Sequence, residues 1–382
     1  MKDGSDFLIY LDYAATTPMD EEAIDVFSQA SRRFFGNASS LHDIGSESAR
    51  LLDMSRQQLA EMLNLKKEGI IFTSGGSESN SLAIDTFLAS RPAWQNHLIV
   101  SRTEHASIAN HVCKLEQSGY SVTYLRHLEN GLIDIEHLIE ALTDKTCLVI
   151  VQHVNSEMGV IQPIEQISKI VHEHPAFLHV DCVQSFAKLP LEGISALCDG
   201  MSISSHKVYG PKGTGAVIFP TIQQLKAPVP NITHESGFRP GTVDVPSIAS
   251  FVTAARNLGE IREKEHERIF MLRRLLIQQL TEKTVHFKVI EAQTRQLPHI
   301  LALTFPGLQG QYIMLELNRR GFAVSTGSAC QIGKQEPSKT MMAIGKSEEE
   351  AHQFVRLSFG KHTTAADMHK LAECLAGIAA IR

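Results

Sequence analysis

Phe-Leu-His-Val-Asp-Cys-Val-Gln-Ser (177–185) and Gly-Met-Ser-Ile-Ser-Ser-His-Lys-Val-Tyr-Gly (200–210) decide how this chain folds. Each stretch opens with a short apolar run of strand length and closes on polar groups: Asp181 and Gln184 in the first, Ser204, His206 and Lys207 in the second. Working outward, the same kind of run recurs at Gly-Ile-Ile-Phe-Thr (69–73), His-Leu-Ile-Val-Ser (97–101), Ser-Val-Thr-Tyr-Leu (121–125), Cys-Leu-Val-Ile-Val (147–151) and Gly-Ala-Val-Ile-Phe (215–219), with helical stretches between. Near-continuous apolar strands alternating with helices predict an α/β fold, a mainly parallel seven-stranded sheet covered on both faces. From about residue 250 the pattern changes to a charged helix over 261–276, strands near 299–304 and 321–325, and a terminal amphipathic helix. The expected division is a large domain over 16–255 and a smaller α+β C-terminal domain formed by 1–15 and 256–382.

At 382 residues and 43% hydrophobic content the chain can bury a full core. A formal net charge of −6, with no basic stretch to offset it, gives no electrostatic reason to bind nucleic acid or an anionic membrane surface. The run Phe-Leu-Ile-Tyr-Leu (7–11) is too short for a signal segment or a membrane span, so the expected location is the cytosol. Six single cysteines without a Cys-x-x-Cys pair indicate neither a disulfide framework nor a structural zinc site. His-Glu-His-Pro-Ala (172–176) lacks the second histidine of a zinc helix, and Gly-Lys-Ser (345–347) lacks the earlier glycine of a phosphate loop, since position 340 is threonine. No metal is expected.

In open parallel sheets ligands sit beyond the carboxyl ends of the strands. Asp181 lies there, and a carboxylate so placed needs a cationic partner to offset its desolvation. At about 4 Å and an effective dielectric near 20, an ion pair with a ring nitrogen is worth on the order of 4 kcal/mol, or roughly three pK units, enough to keep a pyridine protonated. Lys207 follows the next strand and can form an imine with an aldehyde, while Ser204 and His206 can bind phosphate. Ser-Gly-Gly-Ser-Glu-Ser-Asn (74–80) leads into a helix at 81–89, and its glycines with the free N–H groups of that helix can also accept a phosphate. An ordinary strand-to-helix turn with a serine cap explains this segment equally well when taken alone. His105, in Thr-Glu-His (103–105), is placed to stack on a ring or move protons, and Asn155 to donate to a ring oxygen or a substrate carboxylate. One ligand, pyridoxal 5'-phosphate, accounts for all four loops.

A second centre is Ser-Thr-Gly-Ser-Ala-Cys-Gln-Ile-Gly-Lys-Gln-Glu-Pro-Ser (325–338), whose small and polar residues predict a mobile exposed loop around Cys330. A thiol of pKa near 8.5 leaves a minority of strongly nucleophilic thiolate at neutral pH. Arg356, in Val-Arg-Leu-Ser-Phe-Gly (355–360), is on a strand-like run, and a buried guanidinium there answers a carboxylate, a substrate's or an acidic side chain's.

Leu-Asp-Tyr-Ala-Ala-Thr-Thr-Pro (11–18), Gly-Asn-Ala-Ser-Ser-Leu-His (36–42), Thr-Ser-Gly-Gly-Ser-Glu-Ser-Asn (73–80), Thr-Glu-His (103–105), His-Val-Asn-Ser-Glu-Met-Gly (153–159), His-Val-Asp-Cys-Val-Gln-Ser (179–185), Ser-His-Lys-Val-Tyr-Gly-Pro-Lys-Gly (205–213) and Ser-Thr-Gly-Ser-Ala-Cys (325–330) occur in this order. In these motifs the chain resembles, nearly end to end, the NifS/IscS-like cysteine desulfurases, a class V aminotransferase branch of the fold-type I pyridoxal phosphate-dependent transferases. The resemblance implies that Lys207 is the Schiff-base lysine, His105 the ring-stacking acid/base, and Asp181 and Gln184 the partners of the ring nitrogen and phenolic oxygen. It further implies that Gly76, Ser77, Ser204 and His206 hold the phosphate, completed by Thr242 from the second subunit of a homodimer. Asn155 and Arg356 would take the carboxylate of L-cysteine, and Cys330 would become the persulfide, passing sulfur to a protein acceptor or an iron–sulfur scaffold.

A selenocysteine lyase or aminotransferase would share Lys207 and Asp181 without needing the Cys330 segment in the same way, and a non-enzymatic assembly subunit would have no reason to keep Lys207, Asp181, His105, Cys330 and Arg356 together. The chain departs from the family at Asn231-Ile232-Thr233, where three glycines are usual, at Gln-Ile-Gly-Lys (331–334) after the cysteine, and at Cys182 in place of Ala or Thr.

Overall fold

The computed structural model describes residues 8–327 and 337–380. The chain enters through the short strand β1 (Ile9–Tyr10) and helices α1 (Glu21–Arg33) and α2 (Asp43–Leu63). It then alternates through β2 (Ile70–Thr73), α3 (Gly76–Ala89), β3 (His97–Ser101), α4 (Ala106–Gln117), β4 (Ser121–Leu125), α5 (Ile135–Ala141), β5 (Thr146–Gln152), α6 (Ile164–Val171) and β6 (Phe177–Asp181), and closes the main sheet with β7 (Gly200–Ser204) and β8 (Gly215–Ile218). Helices α7 (Val245–Glu260) and α8 (Arg262–Glu282) follow, then β9 (Lys288–Ile290), β10 (Ile300–Thr304), α9 (Gly310–Arg319), β11 (Phe322–Ala323), α10 (Lys339–Ala343), α11 (Glu348–His352), β12 (Phe354–Ser358) and α12 (Ala365–Ala380). Among the described residues no helix is long and apolar enough to cross a membrane.

The main sheet has seven strands in the order β2-β8-β7-β6-β5-β3-β4. β8 runs antiparallel to both neighbours, and the remaining pairs are parallel. β2 therefore points the same way as β3 to β7, and six carboxyl ends share one edge. Period-two alternation fixes which core each residue enters: Val149 and Val151 of β5 pack with Phe72, Met201 and Phe251 on one face, while Leu148 and Ile150 pack with Ile71, Phe87 and Val217 on the other. Each such side chain taken fully out of water contributes roughly 1.5–3 kcal/mol. A separate cluster joins Leu301 and Leu303 of β10, Val355 and Leu357 of β12, and Ile269, Leu276 and Leu371 of α8 and α12 with Leu11. The β9, β10 and β12 strands form an antiparallel sheet, and β1 pairs in parallel with β11.

Two local expectations change. The helix after β2 begins at Gly76 instead of residue 81, and its cap is Gly75 at φ +141°, a conformation that excludes a serine cap. The charged helix at 261–276 is the second of two, α7 and α8 meeting at Ile261, so residue 255 lies inside a helix.

Candidate active site

The carboxyl edge of the main sheet opens into a cleft of about 430 Å³ lined by Ala15, Thr16, Ser74 to Glu78, Ser204, His206, Lys212 and Gly213. The α3 N-terminus forms one wall, because Gly75 and Gly76 let the backbone turn sharply out of β2. A Cβ on Gly76 would stand 2.8 Å from Val183 Cγ2, so the helix start is pressed against the loop after β6 and only glycine fits. Unsatisfied helix N–H groups, the exposed Ser77 and the Lys212 ammonium make this wall attractive to an anion. His206 shares a hydrogen bond with Thr16 Oγ1 at 3.1 Å. Burial, reinforced by the charges of Lys207, Lys212 and Lys188 and by His105, pushes His206 down to about 4, so it faces the cleft as a neutral imidazole.

Asp181 ends β6, buried. Its Oδ2 accepts from Asn80 Nδ2 at 2.8 Å and its Oδ1 from the Val183 N–H at 2.9 Å. Asn80 is held in turn by His179, whose Nε2 lies 3.1 Å from Asn80 Oδ1. Burial takes His179 down to about 3 and keeps it neutral, so the Nε2 proton donates to the amide oxygen and fixes which end of Asn80 faces Asp181. Asn80 Nδ2 also donates to Ser107 Oγ at 3.1 Å, and Ser107 meets His105 Nδ1 through its hydroxyl at 2.9 Å and its N–H at 3.2 Å. His105, the cap of α4, thus accepts at Nδ1. Burial lowers its pKa, Asp181 opposes this, and Lys207 adds to it.

Lys207 sits in the single turn after β7 and donates to the carbonyls of Ala14 at 2.5 Å and Ala15 at 2.8 Å. Gln184 Nε2 donates to the same Ala14 carbonyl at 2.9 Å. Behind them is a cavity of about 10 Å³, room for about one water, bordered by Tyr13, Gln184, Lys188, Tyr209 and His299. Asn155 is fully buried, its Oδ1 accepting from the N–H groups of Glu157 and Met158 at 2.9 and 2.8 Å. Arg356, in the centre of β12, donates to Asp12 Oδ1 at 2.7 Å and to the Ser156 carbonyl at 3.0 Å. Among the described residues Ser204 Oγ, Asn155 Nδ2, Gln184 Oε1 and Arg356 Nε are buried without a hydrogen-bond partner. The first three end or follow strands of the main sheet at its carboxyl edge, and the fourth comes from β12 of the three-stranded sheet, brought against the Asn155 turn by its bond to the Ser156 carbonyl; open donors and acceptors so placed suit a polar ligand.

The structure therefore gathers Gly76, Ser77, Ser204 and His206 around one cleft, links Asp181 to His105 through Asn80 and Ser107, and links Lys207 to Gln184 through Ala14. Thr242 is exposed and is not among the residues lining that cleft. Cys330 lies outside the described residues. Cys182 is fully buried, and burial with the Asp181 charge pushes its thiol up, leaving no thiolate at neutral pH. Sequence reasoning gave no role to Asn80, Ser107, His179 or Lys188. The Asn80 position, one turn into a helix after a glycine pair, is the one signal that would have found any of them.

The model of the family described as aminotransferase class-V matches residues 9–371. The chain is 44% identical over 366 residues to the putative cysteine desulfurase NifS of Bacillus subtilis (strain 168), covering 95% of this chain and 93% of that protein. A solved NifS-like protein superposes with a TM-score of 0.91 at 26% identity, covering 98% of this chain and all (100%) of that one. SspA, solved in complex with cysteine, superposes with a TM-score of 0.80 at 31% identity over 93% of this chain and 100% of that one.

Proposed function

Because the chain belongs to the aminotransferase class-V family and, within it, to the cysteine desulfurases, we propose that it binds pyridoxal 5'-phosphate at the edge described above and moves sulfur from L-cysteine to Cys330. The unpartnered buried atoms carry this reading. Ser204 Oγ lines the glycine-walled cleft where a phosphate would fit, and Asn155 would serve the substrate carboxylate and Gln184 the ring oxygen. Asp181, already fixed by Asn80 and Val183, is the group for a protonated ring nitrogen, and His105 for the ring face. Thr242, exposed on its own chain, fits a contribution to the site of a second copy in a homodimer.

Bound at this site, the cofactor supplies an electron sink for the charge left when the α-proton leaves. Lys207 holds the cofactor and takes that proton. Arg356 and Asn155 orient the substrate by its carboxylate, a task for which Arg356 Nε and Asn155 Nδ2 have open donors. The Cys330 thiolate attacks the substrate sulfur. An S–S bond forms as the C–S bond breaks, the carbon keeps the electron pair and gains a proton, and L-alanine leaves a persulfide on Cys330. A cytoplasmic acceptor, an iron–sulfur scaffold among the candidates, then takes the sulfur.

The decisive variant is Cys330→Ser. It abolishes alanine release from L-cysteine while the protein keeps its visible cofactor band, whereas Lys207→Ala loses both. Undiminished cysteine turnover by Cys330→Ser overturns the proposed mechanism.

A further inference from the structure

Glu157 stands two residues beyond Asn155 and has no part in the chemistry above. Its side chain is half-buried: burial raises its pKa, and hydrogen bonds from Ser338 and Thr340 with the Arg356 charge pull the other way. Ser338 Oγ donates to Glu157 Oε2 at 2.5 Å, and a Cβ placed on Gly327 would stand 2.5 Å from that same oxygen and 2.6 Å from Ser338 Cβ. Ser338 is therefore hydrogen-bonded to this carboxylate and Gly327 packs against it, at a position where a side chain would force Glu157 or Ser338 to shift. Ser338 is fixed a second time as the cap of α10, accepting from the Met341 N–H at 3.1 Å. Upstream, Ser325 exchanges backbone hydrogen bonds with Arg356, N–H to carbonyl at 3.2 and 2.8 Å in the two directions. The Arg356 guanidinium reaches the carbonyl of Ser156, Glu157's neighbour. One turn, 155–158, thus touches the substrate-side amide, the arginine and both flanks of the segment that carries Cys330.

We propose that Glu157 is a positioning residue: by holding Ser338 and seating Gly327 against the same carboxylate, a clasp of one bond and one close contact, it sets the two described flanks of the Cys330-bearing segment against Asn155 and Arg356. The proposal rests on the reading of Cys330 as the sulfur-accepting nucleophile. The physical gain is positional: flanks held against the residues that take the substrate carboxylate fix where the chain leaves this turn and where it returns. A misplacement of about 1 Å between reacting atoms costs on the order of 100-fold, so loss of the clasp falls on the sulfur-transfer step.

The test uses the full-length protein as purified. The rate of Cys330 alkylation by iodoacetamide is followed by peptide mass spectrometry with exposed Cys113 as internal standard. Glu157→Ala and Ser338→Ala should each change the Cys330-to-Cys113 ratio several-fold. Alanine release should fall about 10-fold or more, the double variant should lose no more than either single one, and Glu157→Gln, which can still accept from Ser338, should recover most of the rate. Ser338→Ala removes a single hydroxyl and stands in if Glu157→Ala does not fold. An alkylation ratio within twofold of the parent in both variants, or losses that add, overturns the clasp. That outcome is separate from failure of the sulfur-transfer reading, which shows as retained turnover in Cys330→Ser.

Discussion

Lys188 shows how much one buried side chain depends on its surroundings. It lies nearly out of solvent beside the small cavity behind Lys207, and among the described residues no carboxylate forms an ion pair with it. Burial, with the Lys207 charge adding to it, lowers its pKa from 10.5 to about 7. The sign follows directly: between pH 7 and pH 10.5 the unfolded chain binds more protons than the folded one, so stability rises with pH across that window, and the penalty is complete below pH 7. Lys188→Met removes the penalty. Urea unfolding of the cofactor-free protein should find the variant more stable than the parent at pH 7, by a few kcal/mol and ~4 at most, with the difference shrinking toward pH 10. A difference that stays constant with pH would mean that Lys188 binds its proton as readily in the folded protein as in the unfolded chain, so that burial exacts no penalty there. The neighbouring His299 is also buried and driven well below its ordinary pKa, so it stays neutral through the same range and does not confuse the reading.

Among the elements, the segment 231–237 departs most from what its motif predicts. Of the three positions where glycines are usual, only Asn231 has a left-handed backbone, at φ 62°, and asparagine tolerates that conformation, so Ile232 and Thr233 cost nothing there. The strain has moved downstream, to Glu235 at φ 46° and Ser236 at φ 56°. Glu235 is held against it: Arg56 of α2 grips both its oxygens, at 2.6 and 3.0 Å, and the Phe72 N–H of β2 donates to it at 2.6 Å. Arg56 also lies over the Phe72 ring, 4.8 Å from its centroid. Arg56→Met leaves a buried carboxylate without its cation. Denaturant unfolding should show a loss of roughly 3–5 kcal/mol, far beyond the ~1 kcal/mol of an exposed pair.

At the scale of the whole molecule, Thr242 is exposed and does not line the cleft of its own chain, and the proposed homodimer would bring it to the site of the second copy. Mixing subunits tests this. In a heterodimer of Lys207→Ala and Thr242→Ala chains, one site carries both lesions and the other carries neither. Random reassociation of the two variants at limiting cofactor should restore about a quarter of the parent's activity, since half the dimers then hold one intact site. No recovery in a mixture that demonstrably exchanges subunits would place Thr242 in its own chain's site.

The strands of the main sheet were legible from residue type alone, because a strand buried on both faces is largely apolar, as β5 is from Cys147 to Val151 between Thr146 and Gln152. Lys207, Asp181 and His105 were legible for a related reason: polar residues directly after such runs fall on one edge. What the tertiary structure alone decided is who holds them. The Ala14 carbonyl receives both Lys207 and Gln184, Asn80 fixes Asp181, Asp12 pairs with Arg356, and Glu157 meets Ser338. Periodicity reports the local environment along the chain, whereas these pairs join residues that are distant in sequence and leave no repeat to read. Each is set by where the folded elements bring donors and acceptors together, which is fixed only when the sheets and their helices have packed.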